Sequence, residues 1–289
     1  MTFQEKLQAG KFIITSEVGP DKGIHVDRLL AAAQLVRNKA DAINVTDLQS
    51  SVMRLGSLTV SFLLKQNGFE PIYQLTCRDR NRLALQSDLL SAAALGIQNI
   101  LIATGDHPSL GDHPQAKPVF DLDSVQLIQA ARKLETGFDM QNNALEGTAP
   151  KFCVGAVVNP GCDPLEPQIM KMDKKIAAGA EFFQTQAVFD AKTFENFISK
   201  IKHVKVPIIA GIVLLKSANM ARYMNKHVAG IKVPENLIQQ MQESKDKEIS
   251  SIEIASRLIK QLKPMCRGIH IMSIGWDKIV PRVLEASGL

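Results

Sequence analysis

Two acids stand directly behind short apolar runs, Glu17 in IITSEVGP and Asp106 in LIATGDHP. Two carboxyls in different settings can divide proton donation from charge stabilisation. Glu17 lies between Ser16 and Val18, where partial desolvation favours the protonated acid and suits it to general-acid work. Asp106 follows Gly105, and a glycine there lets the backbone pass close to a flat ligand. Each has a plainer alternative. Glu17 could be a carboxylate bonded to loop N–H groups, and Asp106 a capping or Asx-turn residue. Other polar side chains follow apolar runs in the same manner: Thr46 and Asp47, Thr76 and Arg78, Thr104, Asn159, Gln186, Lys216 and Ser273.

The elements that must position these residues repeat eight times as a short apolar strand followed by a helical stretch. The spacing predicts strands over Lys11 to Val18, Ala42 to Asp47, Pro71 to Cys77, Asn99 to Thr104, Cys153 to Asn159, Phe182 to Val188, Pro207 to Val213 and Gly268 to Ile274. This is the pattern of a single-domain (β/α)8 barrel over residues 1–289, with its site on the carboxyl-terminal face of the strands. Alternation within strands places Ile13, Thr15 and Glu17 on one face, and gives the polar pairs Asn44 and Thr46, Gln74 and Thr76, Gln184 and Gln186. Ile43, Val45, Tyr73, Leu75 and Phe183 take the opposite face, under the helices, so the polar stripe points into the barrel mouth. Helical stripes are expected at Val26, Leu29, Leu30, Ala33 and Val36, and at Leu83, Leu85, Leu89, Leu90 and Ala93. A loop of Pro, Gly, Asp and His over Gly105 to Leu122 is long enough to cover a ligand, and Val233 to Lys263 adds helical length for packing or an interface.

The chain of 289 residues is 45% hydrophobic, enough for a barrel core, and its net charge of +5 is spread along the helices. With two Tyr and one Trp to stack on bases, a nucleic-acid binder is not expected. The amino terminus, MTFQEKLQAGKF, carries no basic and then apolar leader pattern, and no apolar run reaches membrane-spanning length, so a cytoplasmic protein with no membrane association is the expectation. The four cysteines, at 77, 153, 162 and 266, have no CxxC spacing and read as reduced thiols. No metal site is expected, since His107 and His113 lie six apart in a loop, and there is no G-x-G-x-x-G or G-x-x-x-x-G-K for a nucleotide.

The motifs ITSEVGP, NVTD, QLTCRDRNR, LIATGDHPSLGD with VFDLDSVQLI, and AGAEFFQTQAVFD, each at its strand end, resemble the methylenetetrahydrofolate reductase family along nearly the whole chain. They look most like variants from acetogenic bacteria and reductase domains fused to a homocysteine methyltransferase. The resemblance implies a flavin, FAD by family default or FMN, that gives hydride to 5,10-methylenetetrahydrofolate and yields 5-methyltetrahydrofolate, in one-carbon metabolism serving methionine synthesis or acetogenesis. It implies Glu17 as the acid that helps open the methylene bridge to an iminium ion, and Asp106 as the carboxylate near flavin and pterin. It implies Gln186 against the pterin, with Lys216 also on the substrate side. Thr46, Thr76, Arg78, Thr104, Gly105, Asp106, Asn159 and Lys175 would contact the flavin.

The chain departs from better-known bacterial members, with Thr104 in place of an Arg, Gln74 in place of a His, and no aromatic residue in VVNPGCDPLEP or LLKSANMAR. These departures leave the electron donor as NAD(P)H or an iron–sulfur partner subunit, in a homo- or hetero-oligomer. Alternative readings are a flavin-free pterin-binding barrel acting in methyl transfer, an electron-accepting or docking subunit of a larger complex, and a Schiff-base aldolase using Lys216.

Overall fold

The computed structural model describes residues 1–289. Its strands are β1 (Ile13–Val18), β2 (Ala42–Val45), β3 (Pro71–Thr76), β4 (Asn99–Ala103), β5 (Cys153–Val158), β6 (Phe182–Ala187), β7 (Ile208–Val213) and β8 (Gly268–Met272). They close in chain order, every neighbouring pair parallel and β8 returning to β1, which is the expected (β/α)8 barrel. The expected strands run one or two residues too long at several ends, because residues such as Asp47, Cys77 and Thr104 have left the ladder to form the rim.

Eleven helices surround the strands: α1 (Phe3–Gln8), α2 (Asp27–Leu35), α3 (Ser57–Gln66), α4 (Arg82–Ala94), α5 (Ser124–Glu135), α6 (Glu166–Ala177), α7 (Ala191–Lys200), α8 (Ala218–His227), α9 (Glu235–Glu243), α10 (Lys247–Leu262) and α11 (Val280–Ala286). No helix is long and apolar enough to cross a membrane.

Alternation sorts the strand residues as expected. Ile43, Val45, Tyr73, Leu75 and Phe183 are buried in the large cluster between strands and helices. On the inner face a separate apolar layer, Ile13, Ala42, Ile72, Leu101, Cys153, Phe182 and Ile209, fills the amino-terminal end of the barrel. Helix α1 stoppers that end. Its Phe3 meets Phe182 edge-on at 5.2 Å between ring centroids, and Leu7 joins the same cluster. Thr2 fixes the start of α1 through a capping box with Glu5. This apolar plug leaves the carboxyl-terminal rim as the open end of the barrel.

The α4 stripe differs from expectation. Leu85, Leu89 and Ala92 are buried, whereas Leu83 is 75% exposed and Leu90 37% exposed. At 3.6 residues per turn, positions 85, 89 and 92 share a face that 83 and 90 do not. The segment after α8 forms α9 and α10, whose Leu237, Ile238, Met241 and Ile254 build a second cluster with Phe189, Val213 and Leu215. It buttresses the exits of β6 and β7. The loop after β4 contains a short 3-10 turn over Pro108–Leu110 and is tied to the β2 exit: Asp112 accepts from Met53 N at 3.0 Å and pairs with Lys22. A Cβ on Gly111 would meet the Ser51 carbonyl oxygen at 1.8 Å, so this crossing requires glycine.

Candidate active site

Above the apolar floor the inner face turns polar. Thr15, Asn44, Gln74, Gln184 and His270 come from five different strands and form one hydrogen-bonded layer. Gln74 Nε2 donates to Asn44 Oδ1 at 3.2 Å and Gln184 Nε2 to Thr15 Oγ1 at 3.3 Å, while His270 Nδ1 lies 3.0 Å from Thr15 Oγ1 and 3.4 Å from Asn44 Nδ2. Gln184 Oε1 is buried without a partner. A buried polar layer is tolerated when its members satisfy one another, and this one does so almost completely.

One inward position higher on β1 stands Glu17, only 9% exposed. Its carboxylate meets Gln49 Nε2 at 3.4 Å on one oxygen and His270 Nε2 at 3.4 Å on the other. Two long contacts leave lone pairs free to exchange a proton with a bound molecule. Glu17 opens into a cavity of about 380 Å³ that is also lined by Gln49, Arg54, Lys216, Ser273 and Asp277. Glu17 and Lys216, chosen separately from sequence, therefore share one cavity. The Lys216 ammonium lies 5.9 Å from the centre of the Trp276 ring.

The β2 and β3 exits are organised by Asp47, which is 3% exposed. It accepts from Thr76 N and Oγ1 at 3.0 and 2.8 Å, from Ser57 Oγ at 3.3 Å, and from both terminal nitrogens of Arg80 at 2.8 and 3.2 Å. Burial works against the Arg80 guanidinium's charge, but its bonds to Asp47 win and raise its pKa above the ordinary value. Arg78, 2% exposed, is held by Asp79 and by the carbonyls of Leu48 and Asp106, both at 3.3 Å. Gly105 has φ +89°, and a Cβ there would sit 3.1 Å from the Cβ atoms of both Thr76 and Arg78, so the β4 exit packs tightly on the β3 exit. On either side of Gly105, Thr104 and Asp106 are exposed.

Gln186 is exposed at the end of β6, beside a register shift against β7. Thr185 Oγ1 holds that irregularity by accepting from Gly211 N at 2.9 Å and donating to Gln186 O at 2.7 Å. Asn159 bridges two loops, donating to Ala229 O at 3.2 Å and accepting from Gly161 N at 3.0 Å. Neither Asp106 nor Gln186 lines the Glu17 cavity; they stand on the β4 and β6 side of the mouth.

Lys175 on α6 is 7% exposed and donates to Val157 O at 2.6 Å. Burial, helped by the charge of Lys171, lowers its pKa to about 8. Because the folded state holds this proton less tightly than the unfolded chain does, the stability penalty is complete below pH about 8 and is relieved as pH rises from there toward the ordinary lysine value of about 10.4. The unfolding free energy of the wild type, minus that of Lys175→Met, should therefore rise across that window in denaturant titrations. A flat difference would show that Lys175 titrates normally.

Sequence reasoning missed His270 as a member of the site. The signal was present: extending the strand alternation to GIHIM puts Gly268, His270 and Met272 on the inner face, in register with Ile13 and Thr15 of β1. The four cysteines are unbridged, Cys77 and Cys153 buried and Cys162 and Cys266 half-buried. Burial pushes the Cys77 thiol up to about 12.

A sealed parallel barrel with a buried acid beneath a carboxyl-terminal cavity defines the class: a (β/α)8 protein of the kind that binds small molecules at its mouth. The chain belongs to the methylenetetrahydrofolate reductase family, whose model matches residues 2–288. Among curated relatives, methylenetetrahydrofolate reductase 2 of Schizosaccharomyces pombe is 25% identical over 258 residues, covering 81% of this chain and 38% of that protein. A probable methylenetetrahydrofolate reductase (NADPH) of Caenorhabditis elegans is 24% identical, covering 86% and 36%. The chain thus spans little more than a third of the length of these relatives. A solved structure of a Clostridium thermocellum protein, described as binding two copies of 5-methyl-5,6,7,8-tetrahydrofolic acid, shares the fold with a TM-score of 0.68 at 18% identity, covering 98% of this chain and 95% of that one.

Proposed function

We propose that this chain reduces 5,10-methylenetetrahydrofolate to 5-methyltetrahydrofolate with a flavin as hydride carrier, and that Glu17 is the general acid. The observation that carries the reading is Glu17 itself, buried at the top of a polar layer with its carboxylate only loosely held and facing a cavity. Family membership supports a folate as the substrate class.

The rim fits a flat, hydrogen-bonding ring on the β2 to β4 side. Thr46 Oγ1 is buried with no partner, and the left-handed Gly105 keeps the backbone low beside Thr76 and Arg78. Thr46, Thr76, Thr104 and Gly105 would hold the flavin, with Arg78, Asn159 and Lys175 shaping the wall behind them. When bound, the flavin supplies a two-electron hydride donor. Glu17 delivers a proton to the amine nitrogen that leaves the methylene carbon, and takes one back from solvent through the open cavity. Gln186 presents both an amide donor and an acceptor to the pterin edge. Asp106, exposed on the β4 exit, stabilises positive charge developing on the pterin. Lys216 sets a cation in the Glu17 cavity for the carboxylates of the folate tail. The electrons come from NAD(P)H or an iron–sulfur partner subunit, and we place the reaction in the cytoplasm.

One observation favours a second reading, a flavin-free folate barrel: Thr76, Arg78, Asn159 and Lys175 already have protein partners. Mixing the protein with FMN or FAD separates the two. The proposed function requires a bound flavin absorption band that bleaches when 5-methyltetrahydrofolate is added without oxygen; folate binding with no flavin retained would select the alternative. Asp106→Asn should weaken folate binding and slow flavin bleaching together, each by about tenfold, the scale of one charge-assisted hydrogen bond. Unchanged values for both would return Asp106 to a turn-forming part.

A further inference from the structure

We infer that His270 is the positioning residue for Glu17, held as the neutral Nε2–H tautomer so that it donates to the Glu17 carboxylate. The inference rests on the reading of Glu17 as the acid, and it assigns a role to a strand β8 residue that no motif singled out. His270 is 3% exposed and stands in the barrel interior, with Nε2 3.4 Å from Glu17 Oε2.

The tautomer follows from the donors around the ring. Gln74 Nε2 donates to Asn44 Oδ1, which turns the NH2 end of the Asn44 amide toward His270 Nδ1 at 3.4 Å. Gln184 Nε2 donates to Thr15 Oγ1, and the Thr15 hydroxyl proton has two acceptors in reach, Nδ1 at 3.0 Å and the Ile269 carbonyl at 3.4 Å, of which the ring nitrogen is the nearer. Nδ1 is therefore an acceptor, and the ring proton sits on Nε2, facing Glu17. Four side chains from β1, β2, β3 and β6 thus fix one imidazole on β8. When Glu17 gives up its proton, the carboxylate it leaves stands 3.4 Å from this N–H, and a small approach of the two side chains closes the pair into a charge-assisted hydrogen bond.

Two substitutions separate this role from mere filling of the layer. The amide nitrogen of glutamine reaches the depth of Nε2, so His270→Gln should retain about a third or more of wild-type kcat, whereas asparagine reaches only the depth of Nδ1 and His270→Asn should lose about tenfold or more with KM changed less than about twofold. A structural role would reverse the order, because asparagine satisfies Asn44 and Thr15 while glutamine displaces them. In a Glu17→Gln background, His270→Asn should cost nothing further, since it acts through the missing acid. Reduced methyl viologen is the electron source in these assays, with flavin reduction by it checked first from the absorption band, so that no natural partner is needed.

A readout independent of turnover comes from long-range 15N–1H correlation of the imidazole, assigned by its loss in His270→Gln. Nε2 protonated and Nδ1 bare is the expected state; an Nδ1–H tautomer or a doubly protonated ring overturns the inference even if a variant fails to fold. Wild-type turnover by Glu17→Gln would sink the acid reading instead. Inactive Glu17→Gln with fully active His270→Asn would sink only the role of His270.

Discussion

Glu17→Gln should bind folate and flavin as the wild type does and yet reduce methylenetetrahydrofolate roughly a hundredfold to ten-thousandfold more slowly, the range that a positioned general acid contributes. The substitution is nearly isosteric and its one amide oxygen still accepts from Gln49 Nε2, at the expense of the contact to His270 Nε2, so the shape of the packing above the polar layer survives. It removes the transferable proton. The split between intact binding and lost turnover is the signature, because an interaction made only in the transition state lowers kcat without raising KM. Stopped-flow measurement of flavin oxidation by methylenetetrahydrofolate reads the chemical step alone. A rate within about threefold of wild type would leave Glu17 as an ordinary buried carboxylate.

The second large effect concerns the rim itself. Asp47→Ala removes a carboxylate whose side chain is fully buried, and with it the partners of Thr76, Ser57 and Arg80. Arg80 is then left as a largely buried cation with only Asp88 nearby, so the fold should lose about 3 to 5 kcal/mol. For a chain of this size that lowers Tm by on the order of 10 °C. Thr76 loses both anchors at once, so flavin binding at the β2 to β4 side should fall as well. A melting point within about 2 °C of wild type would mean that the rim is held by the strands alone and that Asp47 is dispensable.

The barrel was legible because its signals are local. Strand alternation separates Ile43, Val45 and Tyr73 from Asn44, Gln74 and Thr76 whatever the rest of the chain does, and the structure keeps that division. Helix α1 was not legible, since six residues carry too little periodicity, and its stoppering role depends on Phe182 far along the chain. The same limit applies to the site. Glu17, Asp106 and Gln186 could be read as strand-end polar residues, but the partners that give Asp47 its importance lie on β3, on α3 and between β3 and α4, and those that orient His270 lie on four other strands. Long-range hydrogen bonds of this kind leave no spacing to read. Closure of the cavity at the β1 and β8 side likewise depends on where the loops bearing Gln49, Lys216 and Asp277 meet.

The central claim, flavin-mediated hydride transfer to the methylene carbon, is tested most directly by the mass of the product made in D2O. The N5 proton of a reduced flavin exchanges with solvent, so 5-methyltetrahydrofolate formed by this protein with FMN or FAD and reduced viologen should carry a single deuterium in its methyl group. Failure to form any product under these conditions, or a methyl group free of deuterium, would contradict it.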